Sequence, residues 1–274
     1  MLQKLLSKMR KCIETYHLIS DGDKIAVGLS GGKDSLVLLT LLANFRRFSP
    51  QKFDLIAISV DLFNGESDYS KVKKYCDDLG VEFIVEKSQI YDIVFTERKE
   101  KNPCSLCAKL RRGILNAKAK ELNCNKVALG HTKDDLVETF FLSLFYEGRL
   151  STFAPKTYLS KLDITTIRPL ILINEQETTN ESKTMPVFFN CCPANHKTQR
   201  EYIKNLLKSI KKDIKISYDR AFRAIISPES YNLFDKFLKV DNTQNNVKNS
   251  DGNIVKNNNE RDGNIVKSNN KNDN

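Results

Sequence analysis

Lys24-Ile25-Ala26-Val27-Gly28-Leu29-Ser30-Gly31-Gly32-Lys33-Asp34-Ser35, followed by Leu36-Val37-Leu38-Leu39-Thr40-Leu41-Leu42-Ala43-Asn44-Phe45, decides how this chain folds. The first six residues are apolar and β-prone, and the leucine-rich run after Ser35 is too long for one short strand. Strand, glycine turn and helix start together aim backbone N–H groups and a helix dipole at an anion. Gly31 and Gly32 let the backbone approach a phosphate closely, and Ser30 and Ser35 offer hydroxyls. A Walker A loop is excluded, because Val27 stands where its first glycine belongs and Asp34 follows Lys33.

Outward from this loop, residues 53–60 read as a buried strand and about 69–79 as a polar helix closed by Gly80. A strand at 81–86, a helix at about 105–122, a short strand at 126–129 and a helix at 133–146 follow. Strands alternating with helices imply a parallel sheet covered on both faces, with ligands at the carboxyl ends of its strands. Ser30, Asp61, Gly130 and His131 all fall just after such strands. Before the first strand, Leu5, Leu6, Met9, Cys12, Ile13 and Tyr16 recur at helical spacing, so 1–23 is expected to be a helical segment. Residues 24–170 form the α/β domain, and 171–240 continue it with a lysine-rich helix at about 197–211. The asparagine-rich stretch 241–274, which repeats Asp-Gly-Asn-Ile-Val-Lys, has no aromatic residue and is expected to be disordered.

The formal charge is +10. Residues 241–274 are charge-balanced, so the excess lies in 1–240, where it suits a polyanion such as nucleic acid. No run of eighteen or more apolar residues exists, and Met1-Leu2-Gln3-Lys4-Leu5-Leu6 does not read as a secretion signal. The expectation is a cytoplasmic protein without membrane contact, whose seven cysteines serve as core residues, metal ligands or redox groups. Cys12, Cys76 and Cys124 read as small buried hydrophobes. Cys104 and Cys107 form a C-x-x-C pair opening the 105–122 helix, suited to a metal, a cluster or a redox couple.

The hexapeptide Ser30–Ser35 resembles the pyrophosphate loop of the PP-loop ATP-pyrophosphatase superfamily, whose members split ATP into AMP and pyrophosphate. Cys104-Ser105-Leu106-Cys107-Ala108-Lys109-Leu110-Arg111-Arg112-Gly113 resembles the central motif of the TtcA-type tRNA thiolation enzymes within that superfamily. So does Gly130-His131-Thr132-Lys133-Asp134-Asp135, with Phe140-Phe141-Leu142 and Phe145-Tyr146 after it. The similarity runs from about residue 18 to 237. It implies a Rossmann-like (HUP-type) parallel sheet, and a nucleotide site of Ser30, Gly31, Gly32, Lys33, Asp34, Ser35, Asp61 and Gly130. Lys33, Asp34 and Asp134 are the implied catalytic residues, with Asp34 and Asp134 holding Mg²⁺. Asp61-Leu62-Phe63-Asn64-Gly65 departs from the family's Asp-x-Gly-Phe, because its glycine is displaced.

In that family three cysteines hold a [4Fe–4S] cluster, implying Cys104, Cys107 and a downstream residue. Cys192, before Pro193-Ala194, matches the third ligand, and Cys191 is the alternative. Three thiolates leave one iron without a protein ligand. The implied reaction adenylates the C2 oxygen of a tRNA cytidine, at position 32, and replaces it with sulfur from a cysteine desulfurase or another donor. Arg111 and Arg112 read equally as solvated residues and as tRNA-phosphate contacts. The same chemistry on another tRNA base is one alternative. A lysidine-type tRNA ligase, which adds an amine after the same adenylation, is another. The cysteines discriminate against the ligase, which needs none of them. A homodimer is compatible with everything above.

Overall fold

The computed structural model describes residues 2–63, 65, 67–98, 103–187 and 198–227. A six-stranded sheet carries the architecture: β1 (Asp23–Gly28), β2 (Phe53–Asp61), β3 (Glu82–Lys87), β4 (Lys126–Ala128), β5 (Lys156–Leu159) and β6 (Ile164–Ile167). Their order is β3-β2-β1-β4-β6-β5. All neighbours are parallel except β5, which runs antiparallel to β6 at the edge. The chain winds outward from β1 to β2 and β3, then returns on the other side of β1 with β4. That reversal opens a crevice at the carboxyl ends of β1 and β4, where α/β sheets bind ligands.

Around the sheet pack α1 (Leu2–Tyr16), α2 (Lys33–Arg46), α3 (Ser70–Asp78), α4 (Pro103–Glu121), α5 (Lys133–Leu142), α6 (Glu175–Glu181), α7 (Gln199–Asp213) and α8 (Ser217–Ile226). Alternate residues of the strands feed two cores. Ile25, Val27, Leu55 and Ala57 join α1, α2, α5 and α7 on one face. Ala26, Ile56, Ile58 and Val60 join Leu115 and Ala119 of α4 on the other. Helix α2 is buried on nearly every side, which accounts for its unbroken leucine run. Residues Met1–Ile225 form one compact unit. Among the described residues no helix is long and apolar enough to cross a membrane.

The sequence expectations differ from this fold in particular places. The helix expected over 133–146 ends at Leu142 and widens into a π-type turn, Ser143–Glu147, stopped by Gly148 in the left-handed conformation. Strands β5 and β6 and helices α6 and α8 had no counterpart in the sequence reading. The Asn-rich stretch 241–274 lies outside the described residues.

Candidate functional site

The loop between β1 and α2 is shaped by its own side chains. Gly31 has φ +86°, a left-handed conformation that glycine adopts without a Cβ clash. Gly32 is the extended cap residue before α2. The Ser35 hydroxyl donates to the Gly32 carbonyl at 2.8 Å and accepts the Ser30 N–H at 3.2 Å, while the Gly32 N–H donates to the Ser30 hydroxyl at 3.3 Å. The two serines therefore brace the loop from inside. Gly130, two residues beyond β4, presses on the start of α2: a Cβ there would lie 2.9 Å from the backbone carbon and oxygen of Asp34. Gly130→Ala must push α2 away from β4, and a displacement of this kind costs on the order of a hundredfold in turnover. Calorimetric ATP binding and turnover of that variant check this, with unchanged values as the contrary result.

Three of the expected site residues meet at the first turn of α6. Lys33 Nζ lies 2.9 Å from Asp34 Oδ2 and 3.0 Å from Glu175 Oε1. The Glu175 N–H donates to Asp134 Oδ2 at 2.7 Å, and the Thr178 hydroxyl donates to Asp34 Oδ1. Lys204 of α7 reaches the same Glu175 oxygen at 2.8 Å. Burial alone would depress the Lys33 ammonium, but the Asp34 and Glu175 carboxylates outweigh it and hold its pKa above the usual lysine value. Glu175 behaves likewise: burial pushes up, Lys204 and Lys33 pull down, and the result is about 2. Asp34 and Asp134 are both raised, burial being the largest cause.

Beside this cluster, Asp135 caps α5 through the Thr132 N–H at 2.7 Å and pairs with Arg200 at 2.5 Å. It is thus a structural carboxylate, distinct in role from Asp134. Glu138 lies one turn further along α5 with only 3% of its surface exposed, and burial lifts it to about 7. Burial also lowers His131 to about 4, so its ring is neutral at physiological pH; it stacks on Phe153 at 4.8 Å between centroids. Arg168, at the carboxyl end of β6, lies over the same Phe153 ring, its guanidinium carbon 5.1 Å from the centroid.

Asp61 ends β2 fully buried. Its carboxylate accepts from Ser67 Oγ at 2.6 Å, from Tyr69 Oη at 3.3 Å and from the N–H groups of Phe63 and Gly65. Burial opposes ionisation there, yet these donors hold the pKa below the ordinary aspartate value. The side chain expected at the nucleotide thus shapes the 61–69 loop, whose displaced glycine supplies one of the donors.

Pro103 opens α4, a first-turn position it fits without losing a hydrogen bond. Cys104 is exposed, and Cys107 packs partly against the α4 core. By contrast, burial pushes the Cys12 and Cys76 thiols up to about 12 and raises Cys124, so none of these three is suited to thiolate ligation. Cys191 and Cys192 lie outside the described residues. Among the described residues no group of three metal-ligating side chains forms.

Two turns along the same helix, Arg111 and Arg112 border a recess of about 90 Å³ at the strand ends, together with Gly28, Ser30, Ile58 and Leu129. A larger recess of about 310 Å³, between Lys120 and Tyr158, lies at the amino-end pole of the sheet, away from the glycine loop. Ligand chemistry in α/β sheets belongs to the carboxyl end, so the smaller recess is the relevant one.

Glu175, Thr178 and Lys204 are the site residues that sequence reasoning missed. A signal for α6 was present: Asn174 and Glu177 form a capping box across its first turn.

A model of the PP-loop domain family matches residues 1–211. The chain is 34% identical over 242 residues to the tRNA-cytidine(32) 2-sulfurtransferase of Citrifermentans bemidjiense, covering 86% of this chain and 94% of that one. It is 40% identical over 214 residues to the enzyme of that name from Aliivibrio salmonicida, with 75% and 70% covered. Among solved structures it is similar to the U34-tRNA thiolase NcsA of Methanococcus maripaludis, solved with its [4Fe–4S] cluster. That match has a TM-score of 0.63 and 25% identity over 82% of this chain and 79% of that one.

Proposed function

The chain belongs to the PP-loop family, in the branch of the tRNA-cytidine(32) 2-sulfurtransferases, and we propose that it thiolates a tRNA cytidine at the expense of ATP. One observation carries this reading. Helix α4 bears Cys104 and Cys107 at its first turn and, about 10 Å further along at 1.5 Å per residue, Arg111 and Arg112 at the recess shared with Ser30. That shared helix supports reading the thiol pair and the glycine loop as parts of one site.

In the proposed reaction the cytidine O2 attacks the α-phosphorus of ATP. The O2–P bond forms, the bridge to the β-phosphate breaks, and pyrophosphate leaves with the electron pair. AMP is then displaced from C2 as sulfur enters. The loop and Lys33 would stabilise the departing pyrophosphate, and Asp34 and Asp134 would hold the Mg²⁺ that neutralises its charge. Burial raises both carboxylates, and a bound divalent cation would favour their ionised form. Gly130 allows α2 to close on β4, and Asp61 shapes the rim. The apolar residues Ile58 and Leu129 suit an adenine ring.

Cys104, Cys107 and Cys192 would hold a [4Fe–4S] cluster, which supplies the sulfur-transfer chemistry when bound; Cys191 is the alternative third ligand. The helix-opening position of the first two, Cys104 exposed and Cys107 partly covered, fits thiolate ligation. A cysteine desulfurase or another sulfur donor would deliver the sulfur in the cytosol. The exposed lysines Lys208, Lys211 and Lys212 of α7 would offer the tRNA backbone cationic contacts.

Pyrophosphate release tests the reading. It should require ATP, Mg²⁺ and tRNA together, and should leave an adenylated cytidine when sulfur is withheld. Release without tRNA at the same rate would contradict it.

A further inference from the structure

Glu175 holds two ammonium groups on one oxygen: Lys33 of the loop at 3.0 Å and Lys204 of α7 at 2.8 Å. All three side chains keep some exposure, at 24%, 29% and 24% for Lys33, Glu175 and Lys204, so the cluster is reachable from solvent. Nothing in the glycine-loop motif points to either partner. Lys204 is aimed inward because Ile203 and Leu207, on the same helix, are buried in the core.

Helix α6 stays in place without the Glu175 side chain. Its Asn174–Glu177 capping box closes the first turn, Glu177 pairs with Lys8 of α1 at 2.6 Å, and Thr178 is tied to Asp34. Even the Glu175 contact to Asp134 is made by backbone N–H, not by the carboxylate. The carboxylate can therefore swing away while the helix keeps its other contacts. A second carboxylate, Glu138, also acts on Lys204 electrostatically, and its burial favours the neutral acid.

We infer that Lys204 is a second cation of the triphosphate site, and that Glu175 is the internal counter-ion that holds Lys33 and Lys204 until phosphate oxygens displace it. The inference rests on the loop being the nucleotide site. The exchange is one anion for another: the carboxylate leaves two ammonium groups and the β- and γ-phosphate oxygens take its place, with no bond made or broken. A lone lysine facing a pyrophosphate leaving group neutralises a small part of its charge, and a second shares the load. Once pyrophosphate has formed, the returning Glu175 carboxylate competes for both lysines and favours its departure.

This predicts opposite signs for two variants, which a merely structural salt bridge does not. Lys204→Met should weaken inorganic pyrophosphate and ATP by about tenfold, the value of one charge-assisted contact, and Lys204→Arg should recover most of that loss. Glu175→Gln, nearly isosteric, should tighten pyrophosphate and slow its release. The experiment is calorimetric titration of the full chain with magnesium pyrophosphate and with ATP in the absence of tRNA, alongside thermal melts; Lys204→Gln serves if the methionine variant misfolds. Weakening by both Lys204→Met and Glu175→Gln, or a Lys204 variant that binds pyrophosphate like the parent, overturns the inference. A parent chain that binds neither ligand overturns the nucleotide reading itself; a parent that binds both while the folded variants match it overturns only the roles of Glu175 and Lys204.

Discussion

Cys104→Ala and Cys107→Ala should each lose bound iron and all thiolation while binding ATP as the parent does. The two thiols stand at the first turn of α4, one exposed and one half-covered, where the helix dipole favours the thiolate that ligation needs. The other described cysteines do not replace them. Cys12, Cys76 and Cys124 are buried in the cores, with thiol pKa values pushed up by that burial. ATP binding survives because the nucleotide loop belongs to the β1–α2 junction, which α4 approaches through Arg111 and Arg112 rather than through its cysteines. Cys192→Ala should match the first two variants, and Cys191→Ala should keep iron and activity. Iron content and thiolation assays of anaerobically reconstituted protein decide this. If Cys191→Ala is inactive and Cys192→Ala active, the third ligand changes identity; if all four variants thiolate normally, the cysteines have no part in the reaction.

The second large effect falls on the loop. Asp34→Ala and Lys33→Met should each reduce ATP-dependent product formation by about a hundredfold to a thousandfold, the range seen when one preorganised charge is removed from a developing anion. Asp34 lies at the centre of the cluster, bonded to Lys33 on one oxygen and to Thr178 on the other. Its loss frees Lys33 toward Glu175 and removes one of the two carboxylates assigned to Mg²⁺. Ser35→Ala should be comparably damaging for a different reason, because the 4%-exposed Ser35 hydroxyl bridges Gly32 and Ser30 and sets the loop's shape. Single-turnover pyrophosphate release measures all three, and parent-like rates in any of them would place the nucleotide elsewhere.

What could be read in the chain follows from how local the signals are. The β1–loop–α2 unit, β2, β4 and the C-x-x-C helix are each coded within a short window by apolar runs and glycines, and each was expected within a few residues of where it lies. Strand β6 was missed because Ile164-Thr165-Thr166-Ile167, although wholly β-branched, is only four residues long and is fixed as a strand by its place between β4 and β5. Helix α6 was missed because its core, Thr178-Thr179-Asn180, is made of weak helix formers and is held by its cap and by tertiary contacts. With α6 unread, Glu175 and Lys204 had no visible connection to Lys33, although they complete its surroundings. Asp61 illustrates the converse: its place at the end of β2 was legible, but the four donors that occupy its carboxylate come from a loop whose geometry the sequence did not display.

The central claim is that this chain places sulfur on a tRNA cytidine. The direct measurement is mass spectrometry of nucleosides from tRNA incubated anaerobically with the iron-reconstituted chain, ATP, Mg²⁺, free lysine and a sulfide source. The account predicts 2-thiocytidine that appears only with ATP and disappears in Cys104→Ala. A cytidine that stays unmodified under these conditions, or one that gains lysine in place of sulfur, would contradict it.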